Sequence, residues 1–144
     1  MTGFAIRGVV EGFYGKPWAH EDRLWLLERM GRWGMNTYVY APKDDPFHLA
    51  RWREPYPDAQ LSEFRALVLA GERAGVRVGF AVSPGRSIVY SDSRDRGALL
   101  AKLGALHALG ARVLSLAVDD VPSSLVHEAD QRVFRSLADA QLVL

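Results

Sequence analysis

Apolar residues along this chain alternate between short β-rich runs and longer stretches in which they recur every three to four positions. The short runs have the length of strands in a parallel sheet, and the longer ones read as amphipathic helices, so the alternation predicts repeated βα units. Four units fit. The first pairs a strand at residues 6–11 with a helix at 19–33, in which Leu27, Met30 and Trp33 point inward and Gly34 is the stop signal. A strand at 36–40 and a polar, Pro-containing loop at 41–59 lead into a helix at 60–74. There Leu61, Phe64, Leu67 and Val68 recur at helical spacing before Gly75. The third strand, 76–82, is followed by a loop at 83–91 and a helix at 94–109 carrying Leu99, Leu103 and Leu106 on one face, with Gly110 at its end. The fourth strand is expected at 112–118. A last helical run, about 126 to 144, places Val133, Leu137, Ala140 and Leu144 along one stripe and meets no cap, Gly, Pro or polar tail, which reads as a cut end.

Strand spacings of roughly 30 to 40 residues suit complete βα units, but four units make either an open sheet or half of a barrel. Periodicity does not choose between them. Composition narrows the class: 49% apolar and 24% charged residues describe one ordinary globular domain. The 18 basic and 17 acidic residues are interleaved, giving a net charge of +1, so no nucleic-acid partner is expected. The absence of cysteine excludes disulfides, thiolate metal sites and a cysteine nucleophile. No basic-then-apolar leader is visible at the N-terminus, and no stretch approaches the ~18 apolar residues of a membrane span. A cytoplasmic product without membrane contact is the expectation.

In parallel α/β folds the active site gathers at the carboxyl ends of the strands. Those ends carry Glu11-Gly12-Phe13-Tyr14-Gly15, Pro42-Lys43-Asp44-Asp45, Ser83-Pro84-Gly85 and Asp119-Asp120. Two carboxylates leaving an apolar strand together repel one another, and the repulsion raises one pKa. One can then serve as general acid while its neighbour stays ionised, as glycoside hydrolysis requires. The plainer alternative is a loop-opening pair that caps the next helix. Lys43 is either a donor to sugar hydroxyls or a surface partner of Asp44 or Asp45. Gly12 either admits a ligand to the backbone or makes a turn. Phe13, Tyr14 and Trp18 offer a stacking wall, although packing is the better reading for Phe13 and Trp18. His20, His48, His107 and His127 lack a metal-ligand spacing, so no metal site is argued.

Five ordered strings are more specific: GVVEGFYGKPW at 8–18, NTYVYAPKDDPFH at 36–48, WREPYP at 52–57, SPG at 83–85 and VDD at 118–120. Together they resemble glycoside hydrolase family 84, the O-GlcNAcase and bacterial β-N-acetylglucosaminidase group, some members of which carry a hyaluronidase label. The resemblance implies an α/β fold, a (β/α)8 TIM barrel of which residues 1–144 supply about the first four units as the N-terminal half of the catalytic domain. It implies that Gly12 and Lys43 bind the sugar and that Asp119 and Asp120 are the catalytic pair. It further implies that the substrate's own acetamido oxygen attacks the anomeric carbon through an oxazoline, with retention and without a cofactor. Asp119 would steady the acetamido group and Asp120 would act as acid and then base. The substrate would be a β-GlcNAc-bearing glycan or glycoprotein. Val118 before the pair and Val121-Pro122-Ser123-Ser124 after it depart from the family's usual run, which touches the leaving-group side. The family's later sugar contacts have no counterpart in these 144 residues. Little turnover is therefore expected from the segment alone, and its open edge is expected to self-associate. A noncatalytic carbohydrate-recognition or assembly remnant is the alternative. A third reading makes Asp44-Asp45 and Asp119-Asp120 divalent-metal ligands, although no phosphate loop accompanies them.

Overall fold

The computed structural model describes residues 3–85, 87–118 and 121–144. Four parallel strands, β1 (Gly8–Glu11), β2 (Thr37–Tyr40), β3 (Arg77–Val82) and β4 (Val113–Leu116), form one sheet in the order β1-β2-β3-β4. Between them run α1 (His20–Arg32), α2 (Asp58–Ala74) and α3 (Ser93–Ala108). Parallel neighbours must be joined by crossovers, and a strand-to-strand order that follows the chain is what successive right-handed βα units produce.

Each helix presents an apolar face to the sheet. Leu27 and Met30 of α1, Phe64, Leu67 and Val68 of α2, and Leu99 and Leu106 of α3 are buried in one core with Tyr38, Tyr40, Val78, Phe80 and Val82 of the strands. Phe64 is its aromatic centre, with ring centroids 4.6 Å from Phe80, 4.8 Å from Tyr40 and 4.9 Å from Tyr56. Gly34, Gly75 and Gly110 follow the three helices with φ of 72°, 71° and 101°, a left-handed turn that glycine makes without steric cost.

Helices α1 and α2 approach closely at Gly31, where an added Cβ would lie 2.3 Å from the Ala74 carbonyl oxygen. Gly31→Ala is accordingly expected to lower stability by about 1–3 kcal/mol through overpacking, read from a denaturant midpoint.

Two expectations need correction. Trp33 is 61% exposed, because six residues at 100° each carry it about 120° round the helix from Leu27. The single helix expected over 126–144 is two short ones, α4 (Glu128–Gln131) and α5 (Leu137–Gln141). Ser136 interrupts it with extended backbone (φ −153°, ψ 165°), its hydroxyl accepting the Asp139 N–H as the α5 N-cap. Asp130 of α4 is turned inward, where its carboxylate accepts the N–H groups of Tyr90 and Ser91 and the Ser91 hydroxyl. These local and tertiary bonds replace the continuous stripe, and Val133 is 63% exposed. The fourth strand is shorter than its expected range, although Arg112 and Ala117 still donate to Val78 and Val82 of β3.

Candidate active site

At the carboxyl end of β1 an acidic residue is fully buried. Glu11 receives both branches of the Arg23 guanidinium, Nε and Nη2 each at 2.8 Å, and the Tyr38 hydroxyl. Its Oε1 also accepts the Trp18 N–H at 3.0 Å. A buried carboxylate needs this many donors to offset lost hydration. Burial alone would lower the Arg23 pKa, but the hydrogen-bonded Glu11 carboxylate prevails and holds it above its ordinary value. Burial raises the Tyr38 hydroxyl pKa, and its bond to Glu11 raises it further. Arg23 also lies over the Tyr40 ring, 4.9 Å from its centroid.

The consequence is positional. Glu11 ties β1, α1, β2 and the far end of the 12–18 loop to one point, immediately before Gly12. The rings of Phe13 and Trp18 pack at 5.4 Å within that loop, and Tyr14 is 67% exposed. The Lys43 N–H donates to the Phe13 carbonyl at 3.0 Å, and the Ala41 N–H to the Glu11 carbonyl at 3.2 Å. Gly12 and half-buried Lys43 are thereby neighbours on adjacent strand ends.

Gly12 is exposed and its φ lies outside the left-handed region. A Cβ there would meet only Val10 Cγ1, at 3.2 Å. No left-handed turn demands glycine at this position, and the tight contact is with one side chain, Val10, which would have to give by a few tenths of an ångström. Gly12→Ala is expected to change stability by less than about 1 kcal/mol.

The second strand end is held from beneath. Asp45 is buried and accepts the Tyr40 hydroxyl at 2.8 Å, the Phe47 N–H at 2.8 Å and Gln60 Nε2 at 3.1 Å. Its oxygens are committed to shaping the loop behind Lys43, a use unlike the metal-ligand reading of Asp44-Asp45. Buried His48 donates through Nδ1 to the Ala81 carbonyl, and its own carbonyl accepts the Ser83 N–H at 2.9 Å. The ends of β2 and β3 are thus stitched together. Asp119 and Asp120 lie outside the described residues; Val118 before them follows the carboxyl end of β4, next to that of β3. No group of three or more His, Cys, Asp or Glu side chains among the described residues is arranged to hold a metal ion.

The family described as beta-N-acetylglucosaminidase matches residues 7–144. The chain belongs to the beta-N-acetylglucosaminidase family. It is 39% identical over 135 residues, 94% of its length, to the protein O-GlcNAcases of Rattus norvegicus and Mus musculus. A solved Thermobaculum terrenum O-GlcNAc hydrolase mutant superposes with a TM-score of 0.93 and 41% identity over 96% of the chain. The chain spans 15% of the length of those two curated relatives and 30% of that solved chain. Its parallel α/β arrangement therefore matches part of an O-GlcNAc hydrolase fold, consistent with the resemblance to family 84.

For this family member, the sequence reading located Gly12 and Lys43 at adjoining strand ends but missed the Glu11–Arg23–Tyr38 cluster beneath them. One signal was present: an acidic residue closing the apolar run GVVE, with an arginine on the buried face of the next helix.

Proposed function

We propose that the full-length gene product is a retaining β-N-acetylglucosaminidase that removes terminal β-linked GlcNAc by substrate-assisted catalysis, and that residues 1–144 are the N-terminal half of its (β/α)8 barrel. The likeness to O-GlcNAcases over 94% of the chain carries this reading. Asp119 accepts a hydrogen bond from the acetamido N–H and stabilises positive charge on the oxazolinium. Asp120 protonates the leaving oxygen and then deprotonates the attacking water. The backbone at Gly12 and the ammonium of Lys43 hold the sugar hydroxyls. An exposed glycine that no left-handed turn requires supports that role. A β-GlcNAc-bearing glycan or glycoprotein is the substrate, and the chemistry requires neither metal nor other cofactor.

The test is release of 4-methylumbelliferone by the full-length product from its β-N-acetylglucosaminide and from its β-glucoside, each with and without EDTA. Hydrolysis confined to the acetamido sugar and indifferent to EDTA is expected. Hydrolysis of both sugars alike, or loss of activity in EDTA, would contradict the reading. In the same assay Gly12→Ala is expected to raise KM several-fold while the unfolding midpoint stays in place.

The segment alone is a different matter. Val10 on β1 and Leu114 on β4, the outer strands of the sheet, are 64% and 40% exposed. Expressed by itself, residues 1–144 should elute from gel filtration as oligomers and show no turnover, because unpaired strand edges and apolar surface associate. A compact monomer would contradict this.

A further inference from the structure

Away from the strand ends, a cavity of about 150 Å³ opens between α3, the start of α2 and residues 53–56 of the β2–α2 loop. Ala98, Ala101 and Ala105 supply small walls, with Leu61, Tyr56 and Leu106 completing an apolar lining. A space of this size holds a body as large as a benzene ring.

One charge is built into the wall. Lys102 is only 6% exposed, and its Nζ donates to the carbonyls of Phe47 and Glu54, both at 2.6 Å. It stands 4.5 Å from the centroid of the Tyr56 ring. Among the described residues no carboxylate lies within salt-bridge distance of it; the Asp45 and Glu54 carboxylates act on it only through space, which offsets part of the cost of burying an ammonium. The other charges around the opening are matched: Arg53 is paired with Asp95, and the Glu54 carboxylate with Arg51. An ammonium has three N–H donors, and two are spent on carbonyls.

We propose that this cavity is a binding site for a small monocarboxylate with an apolar body about the size of a benzene ring, its carboxylate meeting the Lys102 ammonium. Apolar walls with one convergent charge that no carboxylate contacts are the usual composition of a small-ligand site. The site is separate from the strand ends, so it stands whether or not the glycosidase reading does. Its occupant also reaches the loop that carries Lys43, since Lys102 holds that loop at Phe47 and Glu54.

The test is a protection experiment on the full-length product with benzoate as probe and acetic anhydride as amine reagent. Burial pushes the Lys102 pKa down to about 8, so near that pH the ammonium that meets benzoate and the neutral amine that reacts are both populated, and the experiment is run there. Acetylation of Lys102 and of Lys16 is followed by mass spectrometry of their peptides. Benzoate at tens of millimolar is expected to slow acetylation of Lys102 by about fivefold or more and leave Lys16 unchanged, an effect consistent with millimolar affinity. Benzyl alcohol, which lacks the charge, should protect far less. Ala105→Leu fills the cavity but keeps the amine, and should abolish protection. Equal protection of both lysines, protection that survives Ala105→Leu, equal protection by the alcohol, or none at all would each overturn the proposal.

Discussion

Asp120→Asn in the full-length product is expected to slow hydrolysis of a β-GlcNAc substrate with a poor leaving group by about 10²–10⁴-fold, the usual contribution of a positioned general acid and base. An amide cannot give the leaving oxygen its proton, nor take one from water in the second step. The loss should shrink with 4-methylumbelliferone as leaving group, because that stable phenolate needs less protonation to depart. Asp119→Asn should behave differently. On the proposed mechanism it removes the negative charge that stabilises the oxazolinium, so its cost of about 10²–10³-fold should be similar for good and poor leaving groups. The check is kcat and kcat/KM for both variants on both substrates. A loss below about tenfold for Asp120→Asn on the poor leaving group would remove it from the acid role.

The second large effect is on folding. Arg23→Met leaves the Glu11 carboxylate fully buried with its cation gone, and breaking such a pair costs about 3–5 kcal/mol. Adding Glu11→Gln to Arg23→Met should recover part of that loss, because the stranded charge is then absent. Chemical denaturation of the wild type, the two single variants and the double variant measures the coupling. Activity gives a second readout: Glu11 holds the Trp18 N–H, so the loop bearing Gly12 should loosen and KM should rise before kcat falls. A destabilisation below about 1 kcal/mol for Arg23→Met would show that solvent reaches Glu11 and satisfies it.

Much of the fold was legible because its signals are local. Three helices end at glycines that adopt positive φ, and the strands between them are short apolar runs, so the expected ranges fall within about two residues of those observed for α1, α2, α3 and the first three strands. The last segment was misread because its apolar spacing is compatible with one helix. The bonds that divide it depend on Ser136 and on Asp130 reaching residues 40 and 39 positions away. Glu11 was illegible for a related reason. From sequence it looks like the start of a polar loop, and only the packing of α1 against β1 and β2 brings Arg23 and Tyr38 to it. Strand order placed Gly12 beside Lys43, but residue types at strand ends do not name a sugar. The proposed catalytic roles rest on the resemblance, not on spacing.

Substrate assistance itself is tested most directly by fluorinating the acetamido group. A series of 4-methylumbelliferyl β-glucosaminides with N-acetyl, N-fluoroacetyl, N-difluoroacetyl and N-trifluoroacetyl groups progressively weakens the carbonyl oxygen as a nucleophile. If that oxygen attacks the anomeric carbon, log kcat/KM for the full-length product should fall steadily along the series, by orders of magnitude from first to last. A flat series would mean that an enzyme side chain or water attacks instead, and Asp119 and Asp120 would then have to be reassigned as nucleophile and acid, or as base and acid.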